Sequence, residues 1–69
     1  MGSLVSCSSL DGDAEEAARL SKESMNYARQ NNLEDAGKVY EESQKIISKY
    51  KETDKFDEFY KAYLNYLEN

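Results

Sequence analysis

The longest regular pattern in the chain runs from Leu33 to Tyr50, LEDAGKVYEESQKIISKY. Leu33, Ala36, Val39, Tyr40, Ser43, Ile46, Ile47 and Tyr50 recur in steps of three and four, the one-face spacing of an amphipathic helix. Tyr40 sits in the middle of that face and is expected at the centre of the core. Glu34 with Lys38, and Glu41 with Lys45, stand four apart in the order that favours ion pairs on a solvated face. Gly37 interrupts the stretch at a cost of roughly 1 kcal/mol against alanine. Beside Ala36 it marks a tight helix crossing, a slot for a partner backbone, or simple tolerance in a marginal helix.

Two further helices are expected around this one. Asp13 is a good N-cap, and Glu16 three residues later completes a capping box, which predicts a helix over 14–30. Its inward stripe is Ala17, Leu20, Ser24, Tyr27 and Ala28, with Met25 at the border, and Glu15 pairs with Arg19 outside. Asn31 can take the left-handed conformation that ends a helix, and Asn32 can cap the next. So short a connection sets the two helices antiparallel. Lys51 to Asp54 are polar, with Thr53 or Asp54 as the next N-cap. Phe56, Phe59, Tyr60, Tyr63, Leu64 and Leu67 then predict a third helix over 55–67, with Asp57 and Lys61 on its outer side. The predicted fold is all-α: a three-helix antiparallel bundle over 13–69, behind a flexible leader of residues 1–12.

Composition narrows what such a bundle can do. Sixty-nine residues allow one small domain with a marginal core, and the absence of proline suits nearly uninterrupted helix. A net charge of −5 repels phosphate backbones, so no nucleic-acid partner is expected, and an anionic bilayer offers the chain no electrostatic gain. There is no histidine, the commonest metal ligand and catalytic base, and the single cysteine, Cys7, cannot form an internal disulfide. Neighbouring carboxylates such as Glu41 and Glu42, or Asp57 and Glu58, diverge by about 100° on a helix and read as solvating charge. Neither enzyme activity nor a metal or cofactor is expected. No stretch approaches the roughly 18–20 apolar residues of a membrane-spanning helix, so any membrane link is covalent or through a partner.

Residues 1–10, MGSLVSCSSL, contain four serines and no charged side chain, the composition of a flexible arm. Leu4-Val5-Ser6-Cys7 resembles the lipobox of bacterial lipoproteins, which implies a lipid on Cys7 and a place on the cell envelope. The preceding residues are too few for a signal segment of roughly 7–15 apolar residues, so that reading needs further chain upstream. Met1 to Ser6 also match the pattern for N-myristoylation, with Gly2 as acceptor and Cys7 as a second acyl site. The third reading is a leader with no role, in a cytoplasmic protein.

Leu20, Ser24, Tyr27, Leu33, Ala36, Tyr40 and Ser43 resemble one tetratricopeptide-repeat unit over 17–50, with Ser24 where glycine and Ser48 where proline is usual. Phe56 to Leu67 then looks like a capping helix. The hairpin YARQNNLEDAGKVYEES with a third helix is similar, too, to the microtubule-interacting-and-trafficking domain. Both families bind peptides or helices in grooves, which implies a non-enzymatic protein-binding module. Tyr50, Tyr60, Tyr63 and Tyr66 are candidate contact residues because tyrosine offers area together with a polar handle. Met25 and Arg29 on the first helix form a second candidate patch, and Gly37 a third. The function expected is that of a small adaptor, lipid-anchored at Cys7, with a protein or peptide partner. The alternatives are an N-myristoylated adaptor and a soluble domain that binds a partner or a second copy of itself.

Overall fold

The computed structural model describes residues 2–68, with side chains from Leu10 onward. Three helices follow one another, α1 (Gly2–Arg29), α2 (Leu33–Lys51) and α3 (Phe56–Glu68), and the fold is an all-α three-helix bundle with no strand among the described residues. The lipidation candidates Gly2 and Cys7 fall where only backbone is described. Their side-chain surroundings lie outside the described residues.

The first helix departs from expectation at its start. Its backbone is helical from Gly2, through the segment expected to be a leader, and Asp13 is an interior residue, not a cap. Gly12 is exposed with nothing within 4 Å of where a Cβ would sit, so it costs helix propensity without breaking the helix. Asp13 has a different use. Its carboxylate accepts a hydrogen bond from the Tyr50 hydroxyl at 2.7 Å and pairs with the Lys49 ammonium at 3.0 Å, both on α2. Tertiary partners have taken the side chain that a local capping rule assigned to the backbone.

The turn between α1 and α2 is built as its two asparagines predict. Asn31 is left-handed, with φ at 64°, and the Asn32 amide donates back to the Tyr27 carbonyl at 2.9 Å. The Asn32 side chain accepts from the Asp35 amide and donates to the Asp35 carboxylate. At the other turn the Thr53 hydroxyl donates to the Tyr50 carbonyl at 2.8 Å and accepts from the Lys55 amide at 3.2 Å.

α1 is the centre of the bundle, and both α2 and α3 pack chiefly on it. Ala14, Ala17, Ala18 and Ser21 are buried along α1, and such small side chains let two helices approach it closely. One buried hydroxyl from each helix meets at the same point. Ser21 Oγ lies 2.8 Å from Ser43 Oγ and 2.9 Å from the Tyr63 hydroxyl. One turn further along α1, the Ser24 hydroxyl donates to the Ala36 carbonyl at 2.8 Å. Below the hydroxyls Phe59 is wholly buried, stacked on Tyr50 at 4.3 Å and 9° and followed by Tyr63 at 6.4 Å. No buried side-chain polar atom among the described residues lacks a partner.

α3 lies across α1. Tyr63 reaches Ser21, whereas Tyr66 reaches back to Asp11, where its hydroxyl donates at 2.6 Å. α3 therefore covers the stretch of α1 between those two residues, and the end of the hairpin near Asn31 has no third helix over it. That explains which apolar positions are misassigned by period alone. Leu33 is 70% exposed and Tyr40 53%, and both stand at the uncovered end, as does Met25, expected at the border of its stripe and 50% exposed. Ala28, expected inside, is exposed there as well. Tyr40 is not central. The inward line of α2 is Ala36, Ser43 and Ile47, with Val39, Ile46 and Tyr50 half-buried. On α3, Tyr60 and Leu64 are exposed on the flank away from α1.

The expected i,i+4 pairs are replaced too. Arg19 pairs with Glu16 at 2.7 Å and Glu23 at 3.1 Å, not with Glu15. None of Glu34–Lys38, Glu41–Lys45 or Asp57–Lys61 closes into an ion pair, as befits charges on a solvated face.

Two outcomes test this packing. Phe59→Ala should cost about 3–5 kcal/mol, most of the margin of so small a domain, whereas Tyr40→Ala should cost under about 1 kcal/mol. Chemical denaturation of both variants checks the difference, and equal losses would put the wrong face of α2 inward. The second outcome concerns acid. Partial burial pushes the Asp13 carboxyl up, but the Tyr50 hydroxyl and the Lys49 ammonium together outweigh burial and hold it below its ordinary 3.8. A carboxylate depressed in the folded state stabilises the fold above its unfolded pKa, and that contribution is lost as pH falls through the folded value. Asp13→Asn should therefore be less stable than the parent at neutral pH, with the gap closing below about pH 4 in denaturation curves taken down the acid range.

Candidate functional site

The face of α1 turned from α2 carries Arg19, Lys22, Asn26 and Arg29 in steps of three, four and three. Arg19 is held in place between Glu16 and Glu23. Lys22 and Arg29 form no ion pair among the described residues. Met25 sits beside them, half exposed. These residues line an open concavity of about 460 Å³, together with Glu23. A second hollow of about 270 Å³ continues it towards α3, lined by Glu15, Ala18, Arg19, Lys22 and Tyr66. Arg19 and Lys22 belong to both, so one trough follows α1 from Glu15 to Arg29 and ends against Tyr66. At 1.5 Å per residue it is roughly 21 Å long, close to four helical turns.

Three cations, Arg19, Lys22 and Arg29, and two carboxylates, Glu15 and Glu23, line this trough. Arg19 is already paired with Glu16 and Glu23, so the positive charge left without an ion pair is that of Lys22 and Arg29, within a protein of net charge −5. Met25 adds a flexible, polarizable apolar contact of the kind found on adaptable binding surfaces. At the α3 end the Tyr66 hydroxyl is engaged by Asp11, and that hydrogen bond raises its pKa above the usual 10.0, keeping the hydroxyl protonated.

The structure brings three of the expected contact residues to one place: Met25, Arg29 and Tyr66 all line the trough. It separates the others. Tyr50 is half-buried, stacked on Phe59 and bonded to Asp13, and Tyr63 is 8% exposed with its hydroxyl in the buried cluster. Tyr63 belongs to the buried core, and Tyr50 packs against that core while half-buried. Tyr60 is 41% exposed, stacked against Phe56 and Tyr63 on the outer flank of α3. Gly37 is exposed with nothing within 4 Å of a built Cβ, so among the described residues no helix crosses closely there.

Arg19, Lys22 and Asn26 were missed as site residues. Their signal is the stripe of long polar side chains at helical spacing, which singles out Met25 and Arg29 only when charge is read along the whole helix face. Among the described residues no group of three or more His, Cys, Asp or Glu could hold a metal ion, and no helix is long and apolar enough to cross a membrane. No known protein family, curated protein or solved structure matches this chain.

Proposed function

We propose that this chain is a small protein-binding module whose trough on α1 takes an acidic amphipathic helix or peptide segment. The observation that carries the proposal is a pair of trough cations without ion pairs, Lys22 and Arg29, beside the half-exposed Met25 on a molecule of net charge −5. Carboxylates of a partner would meet Lys22 and Arg29, the two trough cations without an ion pair, while apolar side chains would pack on Met25. A trough of about four turns fits the helix-in-groove mode, in which anchors recur at helical spacing. Complementary charge would speed encounter and fix orientation more than it would add affinity. The aromatic flank at Tyr60 and the open end at Tyr40 are outside this surface. The reading agrees with the groove-binding role that a repeat-like hairpin implies, and it does not depend on anchoring. A lipid on Cys7 or Gly2 would tether the module without altering the trough.

The probe for this reading is a synthetic helical peptide with glutamate and leucine at three- and four-residue spacing. Titrated into isotopically labelled protein, it should shift amide resonances between Glu15 and Arg29. Arg29→Glu should weaken binding about tenfold or more, in line with a repulsive charge costing on the order of 1.4 kcal/mol or above. Raising salt should weaken the parent complex. Shifts centred on Tyr40 or Tyr60, or binding indifferent to Arg29→Glu, would overturn the assignment.

A further inference from the structure

The two turns of this protein are built differently, and the difference has a consequence for how copies meet. Between α1 and α2 the chain is stopped outright: Asn31 holds a positive φ and Asn32 caps the next helix. Between α2 and α3 the Thr53 hydroxyl donates to the Tyr50 carbonyl and accepts from the Lys55 amide, but no residue holds a positive φ. Residues 52–55, Glu-Thr-Asp-Lys, contain neither glycine nor proline. Asn31 is the one non-glycine residue with positive φ among the described residues, so none of these four is left-handed. Glu52, which ends α2, has φ −93° and ψ 7°, a few tens of degrees from helical values. The Thr53 amide still donates to the Tyr50 carbonyl and the Phe56 amide to the Thr53 carbonyl, the bonds of a loosened helical turn. Straightening the segment exchanges the two Thr53 side-chain bonds for backbone helical ones and needs φ and ψ changes of only a few tens of degrees at Glu52.

α3 is also placed so that it can leave. It packs mainly on α1 and has few contacts with α2, the helix it is joined to. The groove it fills is formed by Ala14, Ala17 and Ala18 with Ile47, and its key is Phe59 with the Tyr63 hydroxyl on Ser21. Every copy of the chain offers the same groove and the same key.

We propose that α2 and α3 fuse into one straight helix over residues 33–68, and that α3 then docks on α1 of a second copy to form a reciprocal, domain-swapped dimer. Each α3 keeps the contacts it makes in the monomer, now in trans, and the linker gains helical hydrogen bonds. Association opposes this with lost translational freedom, so the dimer grows with concentration. The trough on α1 adjoins the groove that α3 fills, sharing Ala18 with it, and in the swapped dimer the second copy supplies the Tyr66 that ends it.

Refolding the full chain from denaturant at low and at high concentration, followed by size-exclusion chromatography with light scattering, tests the proposal. The high-concentration sample should contain a species of twice 7.9 kDa. Spin labels on Glu34 and Glu68 of one chain, diluted into unlabelled protein, should then read about 51 Å along a continuous helix. The monomer's longest dimension is 40 Å. Asp54→Pro removes an amide that takes no part in the turn's hydrogen bonds but cannot continue a helix, so it should leave a folded monomer and abolish the dimer. Should that variant fold poorly, Lys55→Gly, which keeps the amide that bonds Thr53, should cut the dimer about fivefold or more through its helix penalty in both linkers. A chain that stays monomeric at every concentration would overturn the proposal. So would a dimer that persists in both variants, or one whose labels remain within the span of the monomer.

Discussion

The fold depends on one buried contact among three hydroxyls. Ser21, Ser43 and Tyr63 come from different helices, are all buried, and meet within hydrogen-bonding distance. A buried hydroxyl without a partner costs about 1–3 kcal/mol, so each of the three holds the other two in register. A one-residue slip of α2, or a rotation of α3, would orphan at least one of them. Apolar packing alone does not impose that condition, since alanines and a phenylalanine tolerate small slides. The hydroxyls fix where the helices cross, and Phe59 with its stacked neighbours supplies the burial that makes the crossing stable.

Where α3 crosses decides what the rest of the surface is. Because α3 is short and lies between Asp11 and Ser21 on α1, the hairpin near Asn31 remains a two-helix structure. The far side of α1 is likewise left open, and there the spacing of Arg19, Lys22, Asn26 and Arg29 makes a trough that holds two cations without ion pairs and ends against Tyr66. A small bundle thus acquires a binding face by leaving one helix only partly covered. Its acidity elsewhere gives that face contrast.

Much of the fold is legible from sequence because its signals are local. Asn31 and Asn32 mark a turn through their own backbone chemistry, and the apolar spacing of α3 needs no tertiary help. Other features were not legible for an equally physical reason. Asp13 reads as a cap until Tyr50 and Lys49 arrive from thirty-odd residues away. Tyr40 and Ile47 share one broad face of α2, and only the crossing of α3 decides that Ile47 is covered and Tyr40 is not. Ser21 draws no attention by hydropathy, yet it is the hydroxyl on which the others converge. Of the site, Met25, Arg29 and Tyr66 were readable as long side chains off the core. That they face one trough follows from the path of α3.

A double-mutant cycle on Ser21 and Tyr63 addresses the central hydroxyl contact most directly. Ser21→Ala orphans both Ser43 and Tyr63 and should cost on the order of 2 kcal/mol, more than Tyr63→Phe, which leaves the Ser21–Ser43 bond intact. The double variant should cost less than the two together, with a coupling of about 1 kcal/mol. Additive losses, or a Ser21→Ala variant within about 0.5 kcal/mol of the parent, would contradict the view that the three hydroxyls set the crossing of the helices.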